Sequence, residues 1–265
     1  METSDFNLRD YSVYFVDMDG VIVRSDHPIK GASESIEKLR GLGDVYVLSN
    51  NSTRSRESFA ERLHGAGVDL PPEYIINSSF IASKYIVEKH GAVGVYPVGE
   101  EGLSEELMIA GNEVLEANRA DVVVAGMDRG ISYDKLAGAL EALNSGARFY
   151  ATNTDKTFPT PEGEKPGAGA TVGAIEGMGF PPEKVTGKPS SIAAEIAMEV
   201  AGVTEPSDCL VIGDRLETDI LMAERAGMNS VLALSGVDNS YPEGSETEAV
   251  KPTLTVHSLA ELVLG

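Results

Sequence analysis

Residues 14–23 read YFVDMDGVIV: an apolar, β-branched and aromatic run stops at Asp17, and a second carboxylate, Asp19, follows after one methionine. On an extended backbone alternate side chains share a face, so Asp17 and Asp19 converge while Met18 turns toward packed structure. Two carboxylates so close either share a proton or hold a cation that keeps both ionised. The rest of the chain has to decide between these.

Runs of the same kind recur at DVYVLS, EYIINS, DVVVAG, ARFYAT, CLVIGD and SVLALS. They alternate with SIEKLRGL, SRESFAERLHGAG, FIASKYIVEKHG and SIAAEIAMEVAG, which carry an apolar stripe at helical spacing and in several cases end at glycine. This alternation predicts an α/β fold, a doubly wound and mostly parallel sheet. The stretch TFPTPEGEKPGAGA is expected to be a long loop. In open α/β sheets ligands bind beyond the carboxyl ends of strands, so Asp17, Ser49 and Asp214, each closing a strand, become candidates for one crevice.

Composition narrows the partners. Among 265 residues, 21 Lys and Arg against 42 Asp and Glu give a net charge of −21, which opposes non-specific nucleic-acid binding and anchoring on anionic lipid. Neither a signal peptide nor an apolar run long enough to span a bilayer is present. The single cysteine, Cys209, lies in an apolar run and fits a reducing compartment. The expectation is a cytoplasmic protein with no nucleic-acid or membrane partner. The four histidines, His27, His64, His90 and His257, lack ligand spacing, and PGAGATVG lacks the spacing of a dinucleotide fingerprint.

The strand ends suggest phosphoryl chemistry. Ser49, Asn50 and Asn51 stand between a strand and a helix, where hydroxyl, amide and backbone N–H groups cradle phosphoryl oxygens, although the same residues are also the preferred helix caps. Lys188, in GKPSS, can act as a point charge toward carboxylate and phosphoryl oxygen. Asp214 and Asp219, in GDRLETDI, add two carboxylates about one helical turn apart. Four aspartates at strand ends require a metal, and an all-oxygen ligand set selects a hard cation, Mg²⁺. A carboxylate at such a site can be the nucleophile on phosphorus while its neighbour manages the proton.

The ordered set DMDGV, LSNNS, GKPS and GDRLETDI resembles the haloacid dehalogenase superfamily of phosphohydrolases, and more narrowly its NagD / 4-nitrophenylphosphatase branch. The resemblance extends over VVVAGMDRGISYDKLAGAL and GARFYATNTD followed by PGAGA, nearly the whole chain. It implies a catalytic core of residues 1–81 plus 186–265 and an inserted α/β cap at 82–185. It implies that Asp17 is the nucleophile and Asp19 the acid and base. Mg²⁺ would sit on the Asp17 and Asp214 carboxylates and the Asp19 carbonyl, with Asp219 supporting through water or orienting Lys188. Ser49 and Asn50 would hold phosphoryl oxygens with Asn51 close by, Lys188 would offset charge, and the cap loop Asn153-Thr154-Asp155, with Asp128-Arg129 behind it, would read the substrate. The substrate implied is a small phosphomonoester, such as phosphoglycolate, a nucleotide, a sugar phosphate or 4-nitrophenyl phosphate, and a cap of this kind can present a homodimer surface. Two other readings stay open at this level: a phosphotransferase or mutase on the same scaffold, and a phospho-accepting regulatory protein.

Overall fold

The computed structural model describes residues 6–24, 27–160, 162–238 and 250–265. The chain divides into two compact units, one of Met1–Ser49, Ala60–Ile76 and Ala193–Gly265, the other of Asn50–Phe59 and Asn77–Ile192. Residues 50–59, 77–81 and 186–192, which the sequence grouping assigns to the core, thus pack with the inserted unit.

The first unit holds a six-stranded sheet in the order Leu254–Val256, Asn229–Ala233, Cys209–Gly213, Val13–Val16, Asp44–Ser49, Ile75–Asn77. The pairings from Leu254–Val256 through Asp44–Ser49 are parallel. All four residues of Val13–Val16 are buried, as expected of a strand covered on both faces. Truncating one of its large side chains, Phe15→Ala for example, should cost about 3–5 kcal/mol. The chain runs from this strand to Asp44–Ser49 on one side and returns at Cys209–Gly213 on the other. The end of Val13–Val16 is therefore the topological switch point, where neighbouring connections leave in opposite directions and open a crevice.

The second unit has its own five-stranded parallel sheet, in the order Lys184–Val185, Arg148–Ala151, Val122–Ala125, Gly94–Val98, Glu113–Val114. Its central strand, Val122–Ala125, is apolar throughout because both faces are covered. Val123 and Ala125 pack with Ala139, Ala142, Val172 and Ile175 of the helices Tyr133–Asn144 and Ala168–Glu176. Val122 and Val124 pack with Ala82, Ile86, Leu103 and Leu107 of Ser78–His90 and Glu101–Ile109. Alternate residues of one strand thus enter two different cores, the signature of a doubly wound layer.

Two elements depart from the sequence reading. Gly94–Val98 is a strand despite Pro97. The Val93 and Val95 carbonyls accept from Glu113 and Leu115 N–H groups, so Pro97, two residues on, faces the same side, beyond the end of the two-residue strand Glu113–Val114, and its missing N–H costs no ladder bond. The expected long loop TFPTPEGEKPGAGA is instead a hairpin, Thr157–Thr160 with Gly163–Pro166, running into the helix Ala168–Glu176. Gly167 N–H donates to the Lys156 carbonyl at 2.9 Å. By alternation Phe158–Lys165 and Thr160–Gly163 are the hydrogen-bonded pairs, and both Pro159 and Pro166 point their nitrogens away from the partner strand. Proline-rich sequence therefore disguises a two-stranded ribbon.

Candidate active site

Three of the predicted aspartates meet. Asp17, Asp214 and Asp219 are buried, and each offers a carboxylate oxygen within 4.8 Å of the others. Asp17 extends the parallel ladder, its N–H donating to the Ile212 carbonyl at 2.8 Å, which sets it beside the end of Cys209–Gly213, where Asp214 follows. Asp219 arrives by a single wide turn: Leu216–Ile220 is a π-helical segment, with Ile220 N–H reaching back to the Arg215 carbonyl. Gly213 makes this possible, because a Cβ there would stand 2.2 Å from the Asp219 Cβ. The Asp219 carboxylate lies in the cluster with Asp17 and Asp214, and Thr218 Oγ1 donates to it at 3.1 Å.

Glycine also shapes the wall around Asp214. Gly20 (φ +96°) and Gly236 lie so close that a Cβ on either would fall 2.1 Å and 1.8 Å from Asp214 Oδ2. That same oxygen accepts from Val237 N–H at 2.7 Å, and Asp238, which accepts from Leu216 N–H at 2.7 Å, braces the loop. Gly20 must also adopt a positive φ that side-chain-bearing residues resist. Gly236→Ala is therefore expected to turn the Asp214 carboxylate, lowering kcat/KM by about 10²-fold, the usual effect of a 1 Å misplacement. A circular-dichroism melt and metal titration would check it: metal affinity should fall while the cooperative melt persists.

Asp19 does not join the cluster. Met18 is fully buried, as the alternation predicted, but Gly20 bends the chain, and the half-exposed Asp19 carboxylate instead accepts from Arg62 Nη2 at 3.0 Å. Arg62 sits in the last turn of the helix Arg56–Gly65. Nothing in the sequence distinguishes it from a solvated helix basic residue, so it escapes a reading based on motifs.

The remaining predicted residues belong to the second unit, apart from Ser49, which closes its strand and is buried. Asn51 Oδ1 accepts from Thr53 N–H and Oγ1 at 2.9 and 2.8 Å, a local Asx turn. Residues 50–59 are pinned firmly: Met127 N–H donates to Ser52 Oγ, Ser79 Oγ to the Ser52 carbonyl, and Asn77 Nδ2 to the Arg54 carbonyl. Glu106, buried, accepts from Arg56 N–H at 2.7 Å and pairs with its guanidinium at 3.2 Å. Burial pushes the Glu106 carboxyl up despite that partner. Asn50, Asn153, Asp155 and Lys188 form a single network. Asn50 Nδ2 reaches the Asp155 carboxylate and the Lys188 carbonyl, Lys188 N–H donates to Asn50 Oδ1, and Asn153 Nδ2 donates to the Asn50 carbonyl. Asp128 and Arg129 stand apart from it. Asp128 pairs with Lys135 at 2.5 Å and accepts from Gly130 N–H, while Arg129 pairs with Glu100. Both have turn and ion-pair work of their own. Among the histidines, His90 bonds Tyr150 Oη at 2.8 Å and the others are exposed. Cys209 is buried, its thiol pushed up to about 11 by desolvation.

A haloacid dehalogenase-like hydrolase family model matches residues 14–113, and a HAD-hydrolase-like model matches residues 185–262. The acid sugar phosphatase of Staphylococcus aureus is 32% identical over 259 residues, 97% of this chain and 98% of that protein. This chain belongs to the haloacid dehalogenase-like hydrolases. Among solved structures of the family, p-nitrophenyl phosphatase from Archaeoglobus fulgidus superposes with a TM-score of 0.90 at 34% identity, covering 96% of this chain and 99% of that one. A nagD protein superposes at 0.88 with 27% identity, covering 97% and 98%. The chain is a phosphoric monoester hydrolase of the NagD-like branch of haloacid dehalogenase-like hydrolases.

Proposed function

We propose that this hydrolase releases phosphate from small phosphomonoesters by way of a phosphorylated Asp17. The observation that carries the reading is the buried triad of Asp17, Asp214 and Asp219 at the sheet's switch point. Three carboxylates so close are costly to ionise together without a counter-charge. Their donor set is all oxygen and hard, and it fits Mg²⁺, which the three carboxylates and the Asp19 main-chain carbonyl would hold. When bound, the cation supplies positive charge against the phosphoryl oxygens.

The chain's own groups do the rest. Asp17 attacks phosphorus, and the bond to the leaving oxygen breaks as Asp19 delivers its proton to the alkoxide. Asp19 then takes a proton from water, which attacks the same phosphorus, freeing phosphate and restoring the Asp17 carboxylate. Arg62 holds Asp19 in place for both transfers. Ser49 and Asn51 engage phosphoryl oxygens, and Lys188 offsets their charge. The inserted unit, 82–185 in the sequence reading, selects the organic part of the substrate, which in the relatives' names is a sugar or nitrophenyl phosphate. Among the described residues no helix is long and apolar enough to cross a membrane.

Phosphate release from a panel of sugar phosphates, nucleoside monophosphates, phosphoglycolate and 4-nitrophenyl phosphate tests the reading. Release should require Mg²⁺, vanish with EDTA and return on adding Mg²⁺ in excess. Release that survives exhaustive chelation would remove the cation from the proposal. No release from any member would point instead to phosphotransfer.

A further inference from the structure

We infer that Asn50 acts on the reaction through Lys188, as a positioning residue whose amide is committed to the lysine's main chain and to Asp155. The inference rests on the role given above to Lys188. A primary amide has two N–H donors. In Asn50 one donates to the Lys188 carbonyl at 3.0 Å, and the other divides between the two oxygens of Asp155 at 3.2 Å each. Its oxygen accepts from Lys188 N–H at 2.9 Å. The side chain therefore mimics a strand neighbour of Lys188, bonding both main-chain groups of one residue, and has no donor left for a phosphoryl oxygen.

The surroundings are arranged to hold that pairing. The Asn50 carbonyl accepts from Ser78 Oγ at 2.6 Å and Asn153 Nδ2 at 2.7 Å. Asn153 Oδ1 in turn accepts from Asp155 N–H at 3.1 Å, fixing the carboxylate that receives the Asn50 amide. Gly187 lets the strands close: its N–H donates to the Thr152 carbonyl at 2.7 Å, and a Cβ there would fall 2.7 Å from Asn50 Oδ1. The purpose follows from the lysine. A four-carbon stem carries a strong point charge with little geometric definition of its own, and a charge that stabilises a transition state must be placed to about 0.5 Å. Lys188 is buried, so fixing its Cα fixes most of the path of its stem. Asn153 and Asp155, expected to read the substrate, become the outer ring of this clamp.

The test is a double-mutant cycle on 4-nitrophenyl phosphate turnover, with amide hydrogen exchange alongside. Asn50→Ala should lower kcat/KM by about 10–10²-fold. In a Lys188→Met background the same change should cost less than about threefold, because both substitutions remove one function. A full additional loss in that background would make Asn50 an independent phosphate ligand and overturn the inference. The Lys188 amide should exchange faster in Asn50→Ala while the melt stays cooperative; unchanged exchange overturns it too, even where Lys188→Met is too slow to assay. Asn50→Asp, which sets a carboxylate against Asp155, should be worse than Asn50→Ala and should recover in part when combined with Asp155→Asn. Absence of recovery would remove Asp155 from the clamp. Failure of the wild-type protein to release phosphate would strike the proposed function, whereas the exchange result judges the clamp by itself.

Discussion

Asp17→Asn is expected to leave no phosphate release above the uncatalysed background. The amide is nearly isosteric, so the ladder bond from the residue 17 N–H to Ile212 survives, but it cannot attack phosphorus, and no covalent path remains. Turnover by this variant, purified free of contaminating phosphatase, would overturn the assignment of the nucleophile. A second signature comes from charge. Without metal, Asp17 shares a buried site with Asp214 and Asp219, and neutralising one of three close carboxylates relieves repulsion. In EDTA the variant should therefore melt higher than the native chain. Each kcal/mol relieved is worth about 2–4 °C in a chain of this size. Mg²⁺ should close or reverse the gap by stabilising the native triad through binding.

Asp19→Asn is expected to lower kcat by about 10²–10⁴-fold, the ordinary worth of a positioned acid and base, while leaving the metal site able to fill. The separation of these effects follows from geometry, because the Asp19 carboxylate faces Arg62 and lies outside the triad. Loss of metal affinity in step with activity would place that carboxylate on the metal. The loss of kcat/KM, which reports the first transfer alone, should depend on the leaving group: 4-nitrophenolate departs without a proton, so its ester should suffer less than a sugar phosphate. Equal losses of kcat/KM for both esters would contradict a proton-donating Asp19.

The chain's own sequence determines which segments are strands and where they end, because the periods of apolar residues are local properties. Asp17, Ser49 and Asp214 follow directly from that, each closing a run that could only be a buried parallel strand. Gly94–Val98 and the Thr157–Pro166 ribbon stayed hidden because proline is read locally as a breaker. Its cost depends on whether a neighbour waits for the missing N–H, and that is set by pairing.

Side-chain partners were decided only in three dimensions. Asp219 enters the buried aspartate triad because a π turn and Gly213 let it, a matter of close approach that no spacing rule encodes. Asp19 turns to Arg62, 43 residues away, and Asn50 turns to Lys188, 138 residues away. A polar side chain satisfies its hydrogen bonds with whatever packing brings within reach, so an aspartate or asparagine beside a motif announces polar chemistry in the sequence, and the tertiary fold chooses its recipient.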